Sequence, residues 1–341
     1  MPRPPPPTTR HGVRRQRQMC IRDSLCTGGQ LIASSDRGIV TTRKTQAAAS
    51  GGATPEDAVP VEPRLQELLQ ARLHNDGNLC YVHSVALALM WCGAALPEVE
   101  VLGTARQAFR ALLLQRPGFH PWSALSWTFL LRGWPDRRRQ HDVHEWVLHC
   151  LARVRPPAFL GQWQARQANA QQVRITDAGS TLAPVMLHLP SEAGDLHLQE
   201  LVWQWEAQAS QHALEDCPRL LCLCLARYSH SEGEASKNCS VVRCGHEDIA
   251  FTTFTSPQDL SVAQVMYRVQ SVIVHLGMSP QHGHYRSFLS HGGHWFYTDD
   301  DRVAEPAQPA DLEVLSRQCY LLWLSRASVS YTHLTLPTNT V

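Results

Sequence analysis

The sequence predicts an α+β fold, with helices gathered early and strands late. Three observations carry that expectation. In the first half of the folded part, apolar residues recur at the three-to-four spacing of a helix buried along one side. In the second half they fall in short runs rich in Val, Leu, Tyr, Phe and Trp, which read as strands. The two kinds of segment do not alternate, as they would in a parallel α/β sheet.

The first helix follows Cys80 in "YVHSVALALMWCG". Val82, Val85, Ala86, Leu89 and Met90 share one face, and Gly93 offers a stop. "HDVHEWVLHCLARV" repeats the pattern through Val143, Trp146, Val147, Cys150, Leu151 and Val154. "LHLQELVWQWEAQ" does so through Leu198, Leu201, Val202 and Trp205. Strands are expected at "RLLCLCLARY" (219–228), "YRVQSVIVH" (267–275), "HYRSFLS" (284–290), "HWFYT" (294–298) and "QCYLLWLS" (318–325). Between the third and fourth, "HGG" (291–293) has the chemistry of a hairpin turn.

At 341 residues, 43% hydrophobic and 18% charged, the chain has the composition of a globular protein of one large or two ordinary domains. Net charge is +1; the first 24 residues hold six Arg and one Asp, a local +5 that leaves −4 for the rest. That excludes the clustered basic face of a nucleic-acid binder. No run of about 18 apolar residues exists, so no membrane span is expected. An odd count of 11 cysteines without a signal-peptide pattern argues for reduced thiols and a cytoplasmic or nuclear setting. Oligomeric state has no signature here.

Residues 1–60 are expected to be a disordered N-terminal region, Pro- and Arg-rich at first and then poor in large apolar residues. The folded domain is expected over 61–327, followed by a tail, 328–341. "QMCIRDS" (18–24) and "VSYTHLTLPTNTV" (329–341) resemble translated sequencing-adapter sequence, and both are set aside from fold reasoning.

A nucleophilic thiol needs a favoured thiolate, a base within reach and donors for the oxyanion. Cys80 lies near a predicted helix N-terminus, where free N–H groups and the helix dipole favour negative charge. Asn75, five residues upstream in "HNDGNLCYVHS", could reach a developing oxyanion. The same residues also suffice for a plain turn, and Cys80 for a small buried hydrophobe. Among 18 histidines, His284 stands out at the start of one hairpin strand whose partner ends in Asp299, Asp300 and Asp301. An antiparallel return brings those acids near His284, a carboxylate to orient an imidazole. A polar hairpin with solvated histidines would read the same way. "HEWVLH" nearly forms the H-E-x-x-H metal pattern, but His144 and His149 are five apart and fall on different helix faces.

The motifs go further than the spacing. "NDGNLCYVHS" resembles the cysteine box of the ubiquitin-specific protease family, written N-x-G-N-T-C-Y-M-N-S. "QHDVHEW" (140–146) is similar to that family's Q-Q-D-A-H-E-F segment. "GHYRSFL" with "GGHWFYTDDDRV" resembles its histidine box, G-H-Y-x-A-Y followed by W-Y-x-F-D-D-x-x-V. "LCLCLARY" is similar to the strand L-x-x-x-L-x-R-F, and "YLLWLS" to the final Y-L-L-F-Y strand. The segments appear in the family's order from about residue 73 to 325.

The resemblance implies a papain-like cysteine protease fold with helical thumb, β-rich palm and shortened fingers, and a catalytic domain over 61–327. It implies Cys80 as nucleophile, His284 as general base and then acid, Asp299 as third triad member and Asn75 as oxyanion-hole residue. Asp300 would support or replace Asp299. The implied reaction is hydrolysis of isopeptide or peptide bonds at the C-terminal glycine of ubiquitin through an acyl-enzyme, without a cofactor. The implied partners are ubiquitin or ubiquitinated proteins. Two alternatives stay open: a catalytically weak or inactive relative that binds ubiquitin, and a protease for another ubiquitin-like modifier.

The chain departs from the pattern at several places. His83 stands where the family usually has Asn, Leu79 where it has Thr, Ala226 for Lys, Tyr228 for Phe, and Thr298 for an aromatic. The family's fingers often carry two CxxC pairs that bind zinc, and this chain has no CxxC. Cys222 and Cys224, two apart on a strand, could form a degenerate zinc site with the later Cys239 and Cys244, but the pair reads instead as facing the core together, so no metal is expected. Only 204 residues separate Cys80 from His284, short for the family, hence the shortened fingers.

Overall fold

A computed structural model describes residues 61–327 apart from 76, 99, 114–124, 136–138, 170–171, 193 and 232–233. The expectations for 1–60 and 328–341 therefore lie outside the described residues. Helices come first: α1 Pro63–Leu69, α2 Cys80–Ala95, α3 Arg106–Leu113, α4 Leu125–Leu131 and α5 Val143–Val154. Strands follow: β1 Gln162–Ala168, β2 Val173–Ser180, β3 Val185–His188 and β4 Asp195–His197, then helix α6 Leu198–Glu206. Next are β5 Gln211–Asp216, β6 Leu220–Ala226, β7 Tyr228–Ser231, β8 Glu234–Lys237, β9 Val241–Arg243 and β10 Asp248–Phe254. The chain closes with β11 Val262–Ser279, β12 His282–His291, β13 His294–Thr298, β14 Glu305–Pro306, helix α7 Pro309–Gln318 and β15 Cys319–Arg326.

The helix after Cys80 differs from its one-faced expectation. Every residue from Cys80 to Cys92 is buried, and the helix runs two residues past Gly93 to Ala95. α2 touches α1, α3 and α5 as well as β11, β12 and β15, so it has no solvent side. A helix apolar all round is a buried helix, and "VALALMWC" leaves no polar face to turn outward. A single glycine lowers helix stability only modestly, and the buried turns before Gly93 carry the helix through it.

The helix of "HDVHEWVLHCLARV" keeps its expected face. Val143, Trp146, Val147, Cys150 and Leu151 are buried. Asp142 caps it, its side chain accepting from the His144 N–H at 2.9 Å. In α6 the buried residues are Leu198, Leu201, Val202 and Trp205, as the spacing predicts.

The long strand β11 is the spine of an 11-stranded sheet. Arg268 pairs with Asp248 of β10 and with Ser325 of β15. Ser271 to Val274 pair with β12 and with β15. β15 thus runs along one edge of β11, and β10 and β12 share the other. β6 pairs with β15 and with β3, and all its residues from Leu220 to Leu225 are buried. Cys222 and Cys224 therefore sit in the core, opposite Trp323 and Leu321. The expected hairpin closes with His291 paired to His294. Its two-residue turn places Gly292 at φ 56° and Gly293 at φ 79°, the left-handed pair that a tight hairpin requires.

Candidate active site

The turn before α2 is built by one side chain. Asn75 Oδ1 accepts from the Leu79 N–H at 2.9 Å and from the Gly77 N–H at 3.4 Å. Asn78 adopts φ 57°, a conformation that Asn tolerates better than most residues. This reversal delivers Cys80 as the first residue of α2, 3% exposed. The first turn of the helix carries no acidic residue. Ser84 Oγ donates back to the Cys80 carbonyl at 2.7 Å, and Ser287 Oγ of β12 donates to the Ser84 carbonyl at 3.1 Å. The nucleophile helix is therefore fastened to the strand that carries His284.

On that strand, Gly283 precedes His284 with φ 147°. A Cβ there would lie 2.5 Å from the Leu276 carbonyl oxygen and 2.6 Å from His275 Nε2, so only glycine fits. The hairpin register pairs Ser287 with Thr298, and continuing it sets the acids after β13 beside the start of β12. His284 Nε2 meets Asp299 Oδ1 at 2.6 Å. The Cys80 thiol is near enough to His284 to favour its charged form. Asp299 Oδ2 takes a further ion pair from Arg286 Nη2 at 3.0 Å.

These contacts set the charges. Burial works against a charge on His284. It is outweighed by the hydrogen bonds to Asp299 and to Cys80 and by the charges of Cys80 and Asp300, and His284 is pushed up to about 10. Burial likewise opposes a charge on Asp299. The His284 hydrogen bond, with the charges of His284, Arg286 and Arg302, lowers its pKa below the usual carboxylate range. Behind them, His275 stacks on Tyr285 at 4.3 Å. Burial, with the charges of Lys237 and His284, holds His275 neutral.

Asp300 has a different set of partners. Its Oδ2 accepts from Asn75 Nδ2 at 2.8 Å, its Oδ1 meets His83 Nδ1 at 3.0 Å, and Oδ2 stands 4.0 Å from His284 Nε2. The residue sits at φ 45°, and its carbonyl accepts from the Leu73 N–H at 2.8 Å. All five sequence candidates, Cys80, His284, Asp299, Asn75 and Asp300, thus come to one place, while Asp301 is exposed. Arg286 was missed by sequence reasoning. Its signal was its position two residues after His284 on a strand, which puts both on one face.

His284, Asp299 and Asp300 form the one group among the described residues with three ligand atoms near enough to share a cation, all within 4.8 Å. Their carboxylates are already engaged, Asp299 by His284 and Arg286, and Asp300 by His83 and Asn75. Elsewhere, His149 Nε2 meets the Leu130 carbonyl at 2.6 Å. Cys244 hydrogen-bonds to Cys319. The arrangement around Cys80 is chemically that of a thiol, an imidazole and an orienting carboxylate in series, the layout of nucleophilic acyl transfer.

Comparison with known proteins places this geometry in a family. The profile of the family described as ubiquitin carboxyl-terminal hydrolase matches residues 71–323. The human ubiquitin carboxyl-terminal hydrolase 17-like protein 13 is 23% identical over 332 residues, covering 80% of this chain and 59% of that protein. The human 17-like protein 6 is also 23% identical, with 80% and 79% covered. This chain therefore spans little more than half the length of several curated relatives it matches. A solved structure of the SAGA Ubp8/Sgf11/Sus1/Sgf73 DUB module bound to ubiquitin aldehyde superposes with a TM-score of 0.54. It shares 17% identity, over 80% of this chain and 72% of that one. That likeness fixes the fold as the papain-like arrangement of a helical thumb against a β-rich palm. With the profile covering both the cysteine and the histidine–aspartate segments, the chain belongs to the ubiquitin carboxyl-terminal hydrolase family.

Proposed function

We propose that the protein is a thiol-dependent deubiquitinase, which cuts isopeptide or peptide bonds at the C-terminal glycine of ubiquitin. The observation that carries this reading is the series Cys80, His284, Asp299, in which His284 Nε2 meets Asp299 and the ring is coupled to the Cys80 thiol. The neighbour with the same fold was solved with ubiquitin aldehyde, which supports ubiquitin as the modifier.

The chemistry follows from the contacts. The proton of the Cys80–His284 pair rests on His284, whose pKa is raised, and the Cys80 Sγ thiolate attacks the glycine carbonyl carbon. The π electrons move to oxygen, and the oxyanion is met by the Asn75 amide, whose Nδ2 keeps one N–H beyond the bond to Asp300. Collapse of the intermediate breaks the C–N bond, and His284 gives its proton to the leaving amine. Water then attacks the thioester with His284 again as base, freeing the glycine carboxylate and Cys80. Asp299 accepts from Nε2–H throughout, so the proton that His284 gives and takes is the one on its other ring nitrogen.

A ubiquitin probe with a C-terminal electrophile should label the wild-type protein at Cys80 and spare Cys80→Ala. Labelling that persists in Cys80→Ala would overturn the assignment. Ubiquitin binding without turnover would favour the non-catalytic alternative. A panel of probes built on other ubiquitin-like modifiers separates the remaining one.

A further inference from the structure

We infer that His83 is a positioning residue for the oxyanion donor. It holds the Asp300 carboxylate in the orientation that aims the Asn75 amide at the Cys80 site. The inference rests on the hydrolase reading above and concerns the residue that replaces the family's usual Asn.

Asn75 is fixed at both ends of its amide. Oδ1 accepts from the Leu79 N–H at 2.9 Å, and Nδ2 donates to Asp300 Oδ2 at 2.8 Å. The second Nδ2–H can point in only one direction once the first is set, because the amide is planar. That direction is therefore decided by where Asp300 puts its carboxylate. The terminal torsion of an Asp side chain is broad and holds no orientation by itself. What holds it is His83, whose Nδ1 lies 3.0 Å from the other oxygen, Oδ1. A carboxylate only accepts, so His83 donates through Nδ1–H and the tautomer is assigned.

Two further observations separate His83 from an ordinary core histidine. Its side chain is 2% exposed, and its Nε2 is buried with no hydrogen-bond partner among the described residues. The ring is thus kept in the interior with one polar contact, the one to Asp300, and at the expense of an unsatisfied nitrogen. The second is its place: His83 lies three residues after Cys80 on α2, on the same side of the helix, one turn on. The helix that carries the nucleophile therefore also aims the oxyanion donor, and the two cannot move independently.

The test is the replacement His83→Met, which fills the space without a donor, with His83→Asn restoring an N–H donor. Each is assayed with a fluorogenic amide of the ubiquitin C-terminus and, separately, by the rate at which iodoacetamide alkylates Cys80. Alkylation needs the thiol and His284 but forms no oxyanion. His83→Met should lower kcat by about 10²-fold, the lower end of the loss when an oxyanion donor is removed, with KM little changed. Its alkylation rate should equal that of wild type, and His83→Asn should recover most of kcat. His83→Leu, a second apolar replacement without a donor, should repeat the kcat loss with normal alkylation. It carries the test if His83→Met does not fold. An unchanged kcat in His83→Met, or alkylation falling in step with kcat, would overturn the inference while leaving the hydrolase reading intact. A wild-type protein that alkylates normally but never turns over ubiquitin amides would overturn both.

Discussion

Cys80 and Cys319 are both buried thiols with a cationic side chain alongside, and the two sites are built differently. Cys319 is 0% exposed and receives Arg227 Nη2 at 3.3 Å. Its pKa is lowered by a hydrogen bond from Cys244 and by the Arg227 charge, against the opposing effect of burial. Arg227 is itself buried, and it donates to the carbonyls of Asn238 and Ser240, each at 2.9 Å, and of Cys319 at 2.5 Å. It clamps β15 to the loop before β9. Guanidinium cannot take a proton from a thiol, so this pair has no way to begin acyl transfer. Cys80 instead faces an imidazole that can lose and regain a proton, whose side chain is 23% exposed. A thiol beside a cation is therefore a structural motif in one place and a candidate nucleophile in the other. What distinguishes them is the partner's capacity to shuttle a proton and its access to solvent.

The comparison is broken most sharply by removing each thiol in turn. Cys80→Ala should abolish reaction with a ubiquitin C-terminal electrophile, read by intact-mass spectrometry, whereas Cys319→Ser should still react at Cys80. Next in size, His284→Ala should reduce turnover by at least about 10³-fold in steady-state assays, as loss of a triad base does. Arg227→Met tests the structural side. It strips buried carbonyls of their donor and should lower stability in urea unfolding by about 1–3 kcal/mol for each buried acceptor left unsatisfied. The iodoacetamide rate at Cys80 should stay at the wild-type value. A subtler effect lies in pH. His284 is raised to about 10 from its ordinary 6.5, so its interactions stabilise the fold fully below pH 6.5. That contribution is lost as pH rises from 6.5 towards 10, and the decline should be shallower in Asp299→Asn than in wild type.

Much of this site was legible in the sequence because its determinants are local. The hairpin was readable from "HGG" between two strand-like runs, and β13 occupies the predicted 294–298. The antiparallel return followed, and with it the meeting of His284 and Asp299. The Asp142 cap and the buried face of α5 were likewise local. The one-sided reading of α2 failed because burial on every side comes from its neighbours, not from its own period. β11 extends to Val262 and Ser279, beyond the predicted 267–275, because pairing with β10 and β12 recruits polar residues such as Gln264 that carry no strand signal. β1, Gln162–Ala168, was invisible for the same reason: "QWQARQA" is mostly polar, and its pairing with β2 and β5 makes it a strand. The partition of labour between Asp299 and Asp300 was also out of reach. Two adjacent carboxylates look alike in sequence, and only the φ 45° turn at Asp300 sends it to Asn75 and His83 instead of to His284.

The central claim is that Cys80, His284 and Asp299 act as one coupled unit. NMR titration of the His284 ring in wild type, Cys80→Ala and Asp299→Asn tests it directly. Coupling predicts a pKa near 10 in wild type that falls in both variants, because burial then acts with less opposition. A wild-type His284 that titrates near 6.5, unmoved by either substitution, would contradict it.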